Sequence, residues 1–278
     1  MIVQMMITYG PLAGLMLLIG MAGGFLSGLL GVGGGFLLVP GLYFSLSALG
    51  YESDYLMHIS VGTSLGIVAP TVFSSARAHY KKNAVDMLLF KSWTPGMILG
   101  VILGIGLASI LKSHSLTLIF AGVALVMAFY MSFSPHQDHP EHKAPSGFFK
   151  YPIAAGIGII ASLMGIGGAI VSVPTMTLFK VKIQKAIGTA AAMGVVTASL
   201  GLIGYMVIGS LNTEVHLPPL SVGYVNIFAV VLIAPVTISI APFGAHAAHK
   251  VPQQWLKRTF AVLLTIVSIK MFFEAGIF

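Results

Sequence analysis

Residues 31–40 read GVGGGFLLVP, and residues 165–174 read GIGGAIVSVP. Five of the ten positions are identical at an ungapped offset of 134. Consecutive glycines permit positive φ and let a ligand or another backbone approach bare N–H groups. Pro40 and Pro174 fall at the same place in each stretch. A proline there withdraws one helical N–H and leaves a carbonyl free to line a cavity or to take a nearby hydroxyl. The pair predicts one broken or re-entrant element in each half of the chain.

The matching continues outward. Gly62-Thr63 answers Gly188-Thr189. Pro95, Gly104, Ala108, Leu116, Phe120 and Ala121 answer Pro235, Gly244, Ala248, Leu256, Phe260 and Ala261 at an offset of 140. Self-similarity of this extent marks a duplication. It divides the chain into a first repeat (1–134), a linker (135–150) and a second repeat (151–278).

Composition sets the solvent. Of 278 residues, 57% are hydrophobic and 8% are charged. A soluble chain carries about 25% charged residues. The long apolar runs call for spanning helices, since barrel strands would alternate apolar and polar residues. The chain has no cysteine, which removes disulfides, thiolate metal sites and a cysteine nucleophile. No basic residue precedes the first apolar run, which is expected to be retained rather than cleaved. The formal charge of +7 sits in short gaps between apolar runs, which favours topology signals over nucleic-acid binding.

Ten segments emerge: 6–30, 36–49, 56–77, 88–111, 115–134, 148–164, 169–179, 186–210, 221–248 and 256–276. The second and seventh are too short to cross a bilayer upright. Each follows a glycine cluster. Five segments per repeat is an odd number, so the second repeat should run inverted. Charge placement agrees. The gap with Arg77, Lys81, Lys82 and Lys91 is answered by one with Glu214 alone. Glu52 and Asp54 are answered by Lys180, Lys182 and Lys185, and Lys112 by Lys250, Lys257 and Arg258. Basic loops in the cytoplasm put the linker inside and both termini outside. The fold expected is an all-α polytopic membrane protein built from two inverted five-segment repeats with broken or re-entrant glycine-loop hairpins. Inverted repeats are a transporter signature.

The candidate site follows. Gly31, Gly33, Gly34 and Gly35 in one copy, and Gly165, Gly167 and Gly168 in the other, precede the short helices. Their free N–H groups and positive dipole ends would form an anion site near the midplane. Ser27 and Ser162 fall in the turns just before the glycines. Thr63, Ser64 and Thr189 mark the third segment of each copy and add hydroxyl donors, although most membrane hydroxyls bond their own helix. Gly20, Gly24 and Gly28 read as packing glycines. No Asp or Glu lies away from a segment end: Asp86, Glu214 and Glu274 are in gaps or near ends. Cation carriers and carboxylate proton relays need such groups, so an anion or neutral substrate is favoured. Proton coupling would fall to histidine, yet His58, His246 and His249 are expected at the interfaces. Arg77 reads as a topology anchor, and Lys270 is expected to snorkel outward. Pro140 breaks any helix that would align His136, His139 and His142, so no metal and no cofactor is expected.

The stretches GGFLSGLLGVGGGFLLVP and IIASLMGIGGAIVSVP resemble the paired signature of the sulfite exporter TauE/SafE family, also grouped as the toluenesulfonate uptake permeases. The resemblance spans nearly the whole chain. It implies an inner-membrane protein that moves sulfur-containing anions such as sulfite, organosulfonates or sulfoacetate, commonly by export. It carries over Gly31, Gly33, Gly34, Gly165, Gly167 and Gly168. Gly35 is matched by Ala169, so the two half-sites differ. The reading is thus a transporter working by alternating access, with a small sulfur-containing anion and the lipid bilayer as partners, no nucleic acid, and a homo-oligomer allowed for. An anion channel or uniporter is the alternative. An intramembrane enzyme is disfavoured, since Ser27 lacks a GxSG context and no histidine is placed at mid-membrane.

Overall fold

The computed structural model describes residues 2–30, 33–51, 54–133, 149–212, 217–248 and 253–276. Within them the chain forms ten helices: α1 (Ile2–Leu30), α2 (Gly35–Ala48), α3 (Leu56–Tyr80), α4 (Met87–Ile110), α5 (Ser113–Phe133), α6 (Lys150–Met164), α7 (Ala169–Leu178), α8 (Ile183–Leu211), α9 (Ile227–Ala247) and α10 (Gln253–Glu274). The ten expected segments are all present as helices, most with ends within a few residues of the gaps in the sequence. One differs at its start. Residues 221–226 form a small antiparallel hairpin, β1 (Ser221–Val222) and β2 (Val225–Asn226), and α9 begins only after it. The reason is local. Asn226 is extended, and its side chain accepts the Ala229 N–H at 2.9 Å, which caps the helix at that point. Asp86 does the same for α4, accepting from Leu88 and Leu89.

Five described helices, α3, α4, α5, α8 and α9, are long and apolar enough to cross a membrane. With 14 and 10 residues, α2 and α7 are not; at 1.5 Å per residue they reach about 21 and 15 Å, against a hydrocarbon core of about 30 Å. Helix α3 is the innermost: 89% of its spanning window is buried, against 33–39% for the other four. Outward-facing side chains such as Phe73, Phe129, Phe133 and Phe243 are exposed and apolar, as a lipid-facing surface requires.

Helix crossings use bare backbone. Gly24 in α1 is so close to α9 that an added Cβ would lie 2.7 Å from Thr237 Cα, and one on Gly28 would overlap the Ala241 carbonyl. Helices α4 and α6 cross likewise, Gly100 against the Ala155 carbonyl and Gly158 against that of Met97. In lipid no hydrophobic drive separates helix from helix, so close packing of small residues carries the association. Both crossings are parallel, residue numbers rising together in each pair. Helices α3 and α8 run antiparallel, with Gly62 beside Tyr205, Leu65 beside Gly201 and Val72 beside Gly194. Helices α5 and α10 also pack together, and the Ser268 hydroxyl donates to the Ala121 carbonyl at 2.7 Å.

Candidate functional site

The two glycine clusters meet. Gly35 lies against Gly165 and Ile166, with no room for a side chain between them. Gly33 and Gly167 both face Val68, the middle residue of α3. Gly33, Gly34, Gly165, Gly167 and Gly168 all have positive φ. Gly34 and Gly168 are the N-caps of α2 and α7, in left-handed conformation at φ 72° and 83°. That conformation turns the chain sharply into each helix and costs L side chains about 1–2 kcal/mol. Their carbonyls take the first helical bonds, Gly34 from Leu37 and Leu38, Gly168 from Val171 and Ser172. The helix starts, with their polar ends, therefore sit at mid-height beside the buried centre of the molecule. Gly31 lies outside the described residues.

The loops are held differently. The second is braced by hydroxyls. Ser64 in α3 donates to the Gly165 carbonyl at 2.8 Å, and Thr197 in α8 donates to the Gly167 carbonyl at 2.8 Å. The first is wedged by packing: a Cβ on Gly34 would overlap the Gly23 carbonyl in α1. Thr197 was not singled out by the sequence reading, though its repeat equivalent, Thr71, stands at the same offset of 126 as the Gly-Thr pairs. Thr71 instead bonds the Ile67 carbonyl and Thr237, each at 2.6 Å.

Ser27 and Ser162 lie in the last turns of α1 and α6 rather than in connecting turns, because both helices run on to Leu30 and Met164. Their hydroxyls differ. Ser162 donates to the Ile159 carbonyl at 2.9 Å. The Ser27 hydroxyl is fully buried and has no partner. It lies one helical turn beyond Gly23, the residue against which the first loop packs. Pro40 is buried within α2, and Pro174 lies half-buried within α7, where its carbonyl accepts from Thr177 at 2.8 Å.

Thr63 and Thr189 are engaged by the protein. Thr63 Oγ1 accepts the Asn226 N–H and Thr189 Oγ1 accepts the Asp86 N–H, both at 2.9 Å. Gly62 and Gly188 admit the Tyr224 and Ala84 carbonyls respectively. Each Gly-Thr pair thus docks the capped start of a helix from the other half of the chain.

His58, at the start of α3, is buried. It is 1% exposed, and its Nε2 lies 3.0 Å from the Ala108 carbonyl. The reason is its place where the start of α3, the end of α4 and the hairpin close on one another. His246 is exposed, 3.3 Å from Lys82 Nζ. Lys270 is exposed with its ammonium 4.1 Å above the Phe44 ring. His249, Glu214 and the linker histidines lie outside the described residues. Among the described residues no group of three or more His, Asp or Glu is placed to hold a metal.

Ten helices, two of them half-length and starting at buried glycine turns, define a polytopic membrane protein of the transporter class. The chain belongs to the sulfite exporter TauE/SafE family, whose profile matches residues 16–271, and is therefore a membrane transporter and not an enzyme. A "probable membrane transporter protein" of Haemophilus influenzae is 31% identical over 261 residues, covering 94% of this chain and 98% of that protein. A "probable membrane transporter protein" of Methanocaldococcus jannaschii is 25% identical over 280 residues, covering 98% and 99%. YunE of Bacillus subtilis, also a "probable membrane transporter protein", is 25% identical over 222 residues, covering 71% and 80%. No solved structure matches the chain significantly.

Proposed function

We propose that this transporter exports a small sulfur-containing anion, sulfite or an organosulfonate, across the inner membrane by alternating access of two inverted bundles. One observation carries the reading: the two glycine loops that lead into α2 and α7 meet beside the middle of α3, Gly35 against Gly165 and both Gly33 and Gly167 against Val68. Helix N-termini offer amide donors without a formal countercharge, which suits a sulfonyl or sulfite oxygen. Family membership supports the substrate class. The buried Ser27 hydroxyl adds a donor on the first loop's side. Thr63, Ser64 and Thr189 have hydroxyls that already serve backbone groups, and of the three only Ser64 does so on a glycine loop.

The inverted arrangement rests on exchanged contacts. Helix α1 packs on α9 as α6 packs on α4, and Thr63 holds Asn226 as Thr189 holds Asp86. Helices α3 and α8, which correspond in the duplication, cross antiparallel. With the basic loops inside, both termini lie outside. Thermal-shift assays on the purified protein with sulfite, thiosulfate, sulfoacetate and taurine, with chloride as control, test the substrate class. A selective upward shift with one sulfur anion is expected, because a ligand that binds only the folded state stabilises it by mass action. Equal response to chloride would overturn it. Saturable counterflow in vesicles is expected of a carrier, and its absence would favour a channel.

A further inference from the structure

His58 is the buried titratable group that the proposed site leaves unused. The Ala108 carbonyl at 3.0 Å assigns the proton to Nε2. Nδ1 then remains a bare acceptor, buried and with no hydrogen-bond partner. The ring sits in an aromatic cage. The Tyr55 centroid is 5.5 Å away, that of Tyr224 is 5.2 Å away, and the two tyrosines stack on each other at 5.6 Å. Tyr55 precedes α3, Tyr224 belongs to the hairpin, and Ala108 closes α4, so three elements that must part for this end to open share one imidazole. The hairpin is itself fastened to α3 one turn on, by Gly62 and Thr63.

The groups facing the ring are few. From just before α3 comes Tyr55, from the hairpin Tyr224, and from the end of α4 and its cap the Ala108 and Leu111 carbonyls. Burial holds the Tyr224 hydroxyl above the ordinary tyrosine range, so it brings no negative charge at neutral pH. No carboxylate or ammonium among the described residues hydrogen-bonds the ring.

From this geometry we propose that His58 is the proton-binding site coupled to transport: Nδ1 takes a proton when the Tyr55–Tyr224 cage parts and gives it up when the cage is closed. In the closed arrangement Nδ1 makes no hydrogen bond, and a charged imidazolium there would be buried away from water with no carboxylate beside it, an arrangement that folded proteins avoid. Proton binding and opening at the hairpin end are therefore linked, and a bound proton offsets one negative charge of the transported anion. The inference is independent of which anion is carried, although its transport readout rests on the proposed substrate class.

The test has two arms on the full-length protein. In the first, imidazole carbon–proton NMR spectra in detergent follow the histidines from about pH 5 to about pH 8, the range in which imidazoles ordinarily titrate. The His58 resonance is identified by its loss in His58→Gln. Reversible titration of that resonance is expected; a resonance that never moves overturns the proposal, whatever the substrate. In the second, vesicles with an entrapped pH dye are given gradients of thiosulfate or sulfoacetate, which carry little titratable proton near neutral pH. Wild-type protein is expected to move protons with the anion. His58→Gln, whose amide can still donate to Ala108, is expected to retain counterflow and lose proton movement, and His58→Asn checks the result should Gln misfold. Wild-type anion flux without protons, or undiminished proton movement in both variants, overturns the proposal. If neither anion is carried, the substrate reading falls and the NMR arm alone decides this one.

Discussion

The two glycine loops look alike in sequence and are held by different physics. The first is wedged, Gly34 against the backbone of Gly23. The second is tied, its Gly165 and Gly167 carbonyls taken by Ser64 and Thr197. A wedge fails when an atom is added, and a tie fails in addition when a donor is lost. The second loop is less tight at its cap: a Cβ on Gly168 would meet side chains only, the Ala161 methyl at 3.1 Å and the flexible end of Met97 at 3.5 Å. Two similar motifs are thus fixed in place in two ways, and the difference leaves the first-side hydroxyl, Ser27, without a partner.

The largest effect should come from the wedge. Gly34→Ala places Cβ on a backbone atom that cannot yield, and a loss of about 4 kcal/mol or more is expected. Size-exclusion chromatography should show little folded protein; a normal yield would mean the first loop is free to shift. Next come the ties. Thr197→Val and Ser64→Ala each leave a buried carbonyl without its donor, at about 1–3 kcal/mol. Denaturation midpoints in detergent should fall for each, and unchanged midpoints would remove the distinction between the loops. Gly168→Ala should cost about 1–2 kcal/mol, the strain of a left-handed alanine, and leave foldable protein. It is the variant in which anion flux can be read, and a loss like that of Gly34→Ala would show that both caps are wedged. Smallest for stability is Ser27→Ala, since the hydroxyl has no partner to lose. Its midpoint should hold or rise, while the thermal shift given by the sulfur anion should shrink. A falling midpoint with full anion response would place Ser27 in the packing rather than the site.

Spanning segments were legible because hydrocarbon allows few alternatives: each apolar run must close its own backbone bonds, and the gaps between runs are where polar residues are tolerated. That is why the two short helices and their glycine starts could be placed from 31–40 and 165–174 alone. The hairpin at 221–226 was missed because its valines and tyrosine, with no charge among them, run straight into the apolar helix that follows. Its signal, Gly223 and the cap Asn226, is local turn chemistry rather than hydropathy. His58 lies at the start of α3 as read, but its burial was not legible, since distance from a segment end does not say what folds over that end.

Repetition in the sequence by itself determined that matched glycines and Gly-Thr pairs would do matched work, because like motifs take up like backbone conformations. Only the tertiary structure decided what each hydroxyl serves. Thr63 and Thr189 hold the helix starts of the opposite half, Ser64 and Thr197 hold the second loop, and Ser27 holds nothing within the protein. A hydroxyl's partner lies on another segment more often than on its own turn in these cases, and which segment arrives there is settled by how the helices cross, through Gly24, Gly28, Gly100 and Gly158, not by the residue's own neighbours in the chain.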